Sequence, residues 1–250
     1  MQRQRPQFLP TTPLIRRLTQ IIVVFTLLVT LLEPIIELPL STYFSCNRAF
    51  FTHSYLWQPI TALFYLPETS FNFWSLVDFC SVILLFLALS GQVLATQGKG
   101  RFIALYFGSA IFATAGMLLA LIIGAKNELI SLIYPALLSF ITVWTMGSTV
   151  QSTVIWMLFP IRPRWLLGLT LLITVGNNLI HGHFVLCAAY CASFLFSYFL
   201  AIIIWHESSP FTSLWPMEAA LRRRSNAVRR FWNWKVMNWI RTWRRTTTIE

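Results

Sequence analysis

The amino-acid sequence predicts an all-α, polytopic membrane protein: six transmembrane helices in one bundle, followed by a C-terminal interfacial amphipathic helix. Three observations predict it. Of 250 residues, 56% are hydrophobic and only 11% charged, with a mean hydropathy of +0.65. Soluble domains carry about 25% charged residues, so lipid must cover much of this surface. The apolar runs are long and unbroken and do not alternate, which favours helices over barrel strands. Finally, the basic residues cluster at alternate ends of those runs.

The elements follow in order, with about 20 apolar residues needed for each crossing. Residues 1–17 form a basic N-terminal segment. Span one covers about 18–38 and carries Glu33, Pro34 and Glu37 at its far end. Its basic approach (Arg3, Arg5, Arg16, Arg17) resembles a signal peptide, but the apolar run is long and no small-residue cleavage site follows, so it reads as a retained span. Span two covers about 72–95, and Gly98–Arg101 makes a tight basic turn. Span three covers about 102–124, followed by the polar link Lys126-Asn127-Glu128. Span four covers about 129–148. Residues 154–161 are apolar but too few to cross, and are expected at the interface. Spans five and six cover about 165–182 and 184–205, joined at His181-Gly182-His183. The stretch 39–71 reads as one long connection, and 206–250 as a basic, Trp-rich tail.

With the N-terminus inside, seventeen of the nineteen Lys and Arg residues fall on the inner side. Only Arg48 and Lys126 fall outside, and none lies within a span. The positive-inside rule therefore places both termini in the cytoplasm. The absence of any Asn-x-Ser/Thr acceptor favours a bacterial inner membrane, with a eukaryotic endomembrane left open.

The net charge of +11 would suggest nucleic acid in a soluble protein. Here it reports topology and anionic lipid. In the tail, Arg222, Arg223, Arg229, Arg230 and Lys235 alternate with Trp232, Trp239 and Trp243. That pattern fits a helix lying on an anionic leaflet, and no nucleic-acid partner is expected. A docking helix for a protein partner uses the same residues.

The four cysteines contain no CxxC pair, and no P-loop, HExxH or GxSxG motif occurs. Neither a metal nor a cofactor is implied. Asp78 is the acidic residue deepest in a predicted span, and such a group is a functional candidate by default; a hydrated or hydrogen-bonded position near the span end is its plainer role. Asn177, Asn178, His181 and His183 cluster where spans five and six meet. Together with Ser139 in span four, either histidine could form a serine–histidine pair. The alternative is loop capping and helix–helix hydrogen bonding.

Local motifs add a resemblance. Trp57-Gln58-Pro59-Ile60-Thr61 is similar to a Trp-Arg-x-hydrophobic-Thr segment. Ser90-Gly91 through Gly98-Lys99-Gly100-Arg101-Phe102 is similar to a Phe-Gly…Gly-Ser-x-Arg-Phe run. Phe159-Pro160 through Trp165 resembles an Ile-Pro-x-x-x-Trp approach to span five. Together with the six-span layout, these resemble the rhomboid-like superfamily over about residues 10–205.

That resemblance implies a catalytic serine at the start of span four and a catalytic histidine in span six. The corresponding positions hold Pro135 and Tyr190, which cannot act as nucleophile and base. The resemblance therefore implies an inactive, derlin-like member that binds transmembrane clients. Two alternatives are carried: a divergent intramembrane serine protease using Ser139 with His181 or His183, and a small transporter or channel component using Asp78.

Overall fold

The computed structural model of the protein describes residues 12–66, 73–124, 128–147, 154–156, 159–161, 163–205, 207 and 211–226. Six long helices follow one another in the expected order: α1 (Pro13–Ile36), α5 (Phe73–Gln97), α6 (Lys99–Ile122), α7 (Ile133–Gly147), α8 (Pro163–Ile180) and α9 (Phe184–Ile203). Three short helices, α2 (Leu40–Phe44), α3 (Ala49–Thr52) and α4 (Gln58–Thr61), lie between the first two.

Among the described residues, four helices are long and apolar enough to cross a membrane: Pro13–Ile36, Ser75–Gln97, Lys99–Ile122 and Phe184–Ile203. The helices at spans four and five are shorter, at Ile133–Gly147 and Trp165–Ile180. At about 1.5 Å per residue, the 15 residues of α7 reach about 22 Å, short of the roughly 30 Å hydrocarbon layer. Its apolarity has a different origin from that of the lipid-facing helices. Nearly every side chain from Ile133 to Met146 is buried, because α5, α6, α8 and α9 all pack on it.

Backbone chemistry sets several helix ends. Pro13 starts α1 and Pro163 starts α8, where a missing N–H costs nothing. The basic turn expected at Gly98–Arg101 is a single residue. Gly98 adopts φ 80° and ψ 168°, a region open almost only to glycine, and α6 begins at Lys99. Residues 154–161, expected only as an interfacial stretch, contain two short antiparallel strands, β1 (Val154–Trp156) and β2 (Phe159–Ile161).

The stretch 39–71 is more than a connection, because its later part enters the bundle. Ala62, Leu63, Tyr65 and Leu66 are buried. Tyr106 Oη of α6 donates to Leu63 O at 2.8 Å, and Leu66 N donates to Thr26 Oγ1 of α1 at 3.2 Å. Ser131 Oγ donates to Tyr65 O at 2.8 Å, and Leu132 N to Ala62 O at 2.9 Å. Cys46 and Ile130 form an isolated antiparallel bridge. Backbone this deep must be satisfied by protein, and these bonds supply partners from α1, α6 and the approach to α7.

The residues singled out by resemblance hold this insertion in shape. Trp57 stacks on Tyr55 at 4.8 Å and donates to Tyr43 O, while Thr61 Oγ1 donates to Phe44 O at 3.0 Å. Gly91 is buried within α5. Arg101 bonds Gln97 at 3.0 Å and lies 5.6 Å from the Trp205 ring, linking the start of α6 to the end of α9.

Burial also fixes the chemistry of Cys46. It is fully buried, lies 3.9 Å from Thr114 Oγ1, and desolvation pushes its thiol up to about 12. At pH 8 the thiolate fraction is then roughly one in ten thousand. A water-soluble maleimide should leave Cys46 unmodified in detergent-solubilised native protein and modify it after unfolding. Rapid native modification, mapped to Cys46 by mass spectrometry, would contradict this packing.

Candidate functional site

A pair of serines bridges α7 and α9 inside the bundle. Small residues on α9 allow the approach: Ala189, Ser193 and Ser197 recur every fourth position and are all buried. This spacing lets helix backbones come close and lets serine hydroxyls reach across. Ser193 Oγ donates to Pro135 O at 2.8 Å. Ser139 Oγ lies 2.8 Å from Ser193 Oγ and 3.2 Å from Ser193 O. With the Ser193 proton committed to Pro135, Ser139 is the donor in its own contacts.

Nearer the start of α5 and α7 lies a second polar group. Tyr134 Oη donates to Asp78 Oδ2 at 2.9 Å. Tyr190 is buried on α9 one turn before Ser193. Asp78 itself is exposed on the bundle surface, five residues into α5. Pro135 and Tyr190, expected to occupy corresponding positions, thus belong to one patch of α7 and α9 with Asp78 beside it.

The histidines lie elsewhere. His183 precedes α9, and its Nδ1 is 3.0 Å from Glu128 Oε1 with the imidazole about half exposed. Ser193 is ten residues further along α9, about 15 Å at the helical rise. His181 is exposed, with its ring 6.3 Å from that of His183. Ser139 contacts a hydroxyl and a carbonyl, neither of which is a base that could activate it. Asn177 and Asn178 close the turn: their carbonyls accept His181 N and His183 N, and Asn178 Nδ2 donates to Thr174 O at 2.6 Å. These contacts are loop capping.

Sequence reasoning missed Ser193, Tyr134 and the attachment of the tail. The four-residue spacing of Ala189, Ser193 and Ser197 was the available signal for the first. Residues 215–226 are helical, and within them Glu218 is buried and accepts from Tyr198 Oη at 2.7 Å. Arg222, expected on a lipid surface, is half-buried, and its guanidinium donates to Glu207 O. Gln97 Nε2 also reaches the Glu207 carboxylate, at 3.3 Å. Arg223 is exposed. Arg229, Arg230, Trp232, Lys235, Trp239 and Trp243 lie outside the described residues. Among the described residues, no group of three or more His, Cys, Asp or Glu side chains is placed to hold a metal ion.

Together, fold and composition define a predominantly helical membrane protein, with four membrane-length apolar helices among the described residues. No family model, no curated protein and no solved structure matches the chain.

Proposed function

We propose that the chain is a non-catalytic, rhomboid-like membrane protein that receives a transmembrane helix of a client against α5, α7 and α8. In this reading all six long helices cross the bilayer with both termini in the cytoplasm. The short α7 crosses sheathed by its neighbours, and the basic tail rests on anionic headgroups.

One observation carries the reading. A carboxylate hydrogen-bonded to a tyrosine sits at the bundle surface, near the positions where the resemblance calls for catalytic groups, and among the described residues Ser139 bonds only Ser193. Asp78 and Tyr134 are costly to keep at a lipid-facing surface unless a partner uses them. α5 and α8 both pack on α7 but make little contact with each other. Their exposed side chains include Leu76, Val77 and Leu84 on α5, and Leu169, Leu172 and Ile173 on α8. A client helix could lay its apolar face there while a polar group on it meets Asp78.

Two measurements test this. A fluorophosphonate probe should leave the protein unlabelled; labelling abolished by Ser139→Ala would establish a serine hydrolase instead. Photo-crosslinkers at Val77 and Leu169 should give adducts with membrane-spanning proteins in native membranes, reduced several-fold by Asp78→Asn. Adducts with lipid alone would remove the client reading.

A further inference from the structure

Two grooves run along α1, one beside its packing stripe at the contact with α5 and one on its exposed side. α1 packs through one stripe, Ile15, Thr19, Ile22, Thr26 and Val29, chiefly against α5. One groove, of about 410 Å³, runs from Arg16, Thr19 and Gln20 to Val23, Val24 and Leu87 of α5. The second, of about 490 Å³, runs from Arg17 and Gln20 to Ile21, Val24, Phe25 and Leu28. They share Gln20 and Val24, so they flank one ridge of the helix. Both are polar at the same end and apolar beyond it.

We propose that these paired grooves bind one anionic phospholipid, its phosphate at Arg16 and Arg17 and one acyl chain in each groove. Length supports this occupant. From Arg17 to Leu28 is eleven residues, about 16 Å along the helix, close to half of the roughly 30 Å hydrocarbon layer. The second groove therefore extends about one leaflet deep from the interface, and the first, which ends at Val24, is shorter. Charge supports it as well. Among the described residues, neither arginine side chain is engaged in an ion pair or hydrogen bond. Two cations at the polar end of an apolar groove complement a phosphate diester. Thr19, only 9% exposed, lies at the same end, and its hydroxyl has no hydrogen-bond partner among the described residues.

The site does not depend on the proposed client reading or on which face of the membrane α1 starts from. It also differs from attraction of the tail to a charged surface, because it holds individual chains in shaped grooves.

Native mass spectrometry of the full-length protein tests it, using equimolar phosphatidylglycerol and phosphatidylcholine of identical chains. Phosphatidylglycerol adducts should exceed phosphatidylcholine adducts at least fivefold. Arg16→Gln with Arg17→Gln should bring that ratio below about two, although the tail arginines remain. Val24→Trp, which fills both grooves without changing charge, should cut retention of both lipids. All three positions are exposed, so the fold should persist, checked by an unchanged melting temperature. Equal retention of the two lipids by the wild type would overturn the proposal. So would an unchanged ratio in the double variant.

Discussion

Tyr106→Ala should destabilise the bundle by about 3–4 kcal/mol, a shift of two to three orders of magnitude in the folded fraction. Tyr106 is fully buried in α6. Its ring stacks with Phe102 and Phe140 and meets Phe64, Phe86 and Phe107 edge-on. Within a membrane the unfolded reference is a helix in lipid, so the water-transfer contribution of ordinary core mutations largely falls away. The cavity contribution remains: at about 24 cal/mol per Å³, a ring-sized void costs about 2–3 kcal/mol. Removing the hydroxyl also leaves the Leu63 carbonyl without its donor, about 1 kcal/mol more. Tyr106→Phe isolates that last part and should cost about 1 kcal/mol. Denaturant unfolding in detergent micelles measures both. If Tyr106→Ala lies within 1 kcal/mol of the wild type, the aromatic cluster is not the centre of the bundle.

The same cluster shows what the sequence reveals and what it conceals. Helix existence and order were legible because continuous apolar runs have few alternatives and Gly98 punctuates them, whereas the starts at Pro13 and Pro163, each ahead of its expected span at about 18 and 165, were not read. The depth of Ala62–Leu66 was not legible. Six apolar residues between Pro59 and Pro67 are too few to span, and hydropathy does not distinguish a surface loop from an inserted one. The partners that hold this segment, Thr26, Tyr106 and Ser131, lie as many as 69 residues away in the chain. Asp78 was conspicuous as an acid in an apolar run, but Tyr134 became its partner only once the facing of α5 and α7 was known. Glu218 drew no reading within the basic tail, and its burial against Tyr198 depends wholly on how the chain returns after α9. The apolarity of α7 signalled a span equal to the others, whereas its short length reflects enclosure by protein.

Gly116→Val should be comparably damaging, for the opposite reason. α6 and α9 make the most extensive contact among the described helices, and Gly116 sits where α6 lies against the backbone of α9 at Ala188. A Cβ there would lie 2.5 Å from Ala188 O and 2.6 Å from Ala192 Cβ. Neither is the end of a flexible side chain, so the helices themselves must separate. Overpacking in a core costs about 1–3 kcal/mol when side chains can adjust; with backbone as the obstacle, valine should cost about 3 kcal/mol or more. Two other glycines of α6 provide the contrast. At Gly108 the obstacle is the Phe196 ring, 2.4 Å from the added Cβ and stacked on Phe112 at 4.4 Å, so the ring can slide at a cost of about 1 kcal/mol. Gly100 has open space around it, and Gly100→Ala should be neutral or stabilising by up to about 1 kcal/mol through helix propensity. Unfolding midpoints should therefore fall in the order Gly100→Ala, Gly108→Ala, Gly116→Val. A Gly116→Val midpoint equal to that of Gly100→Ala would mean that α6 and α9 do not meet at Gly116 through Ala188 and Ala192.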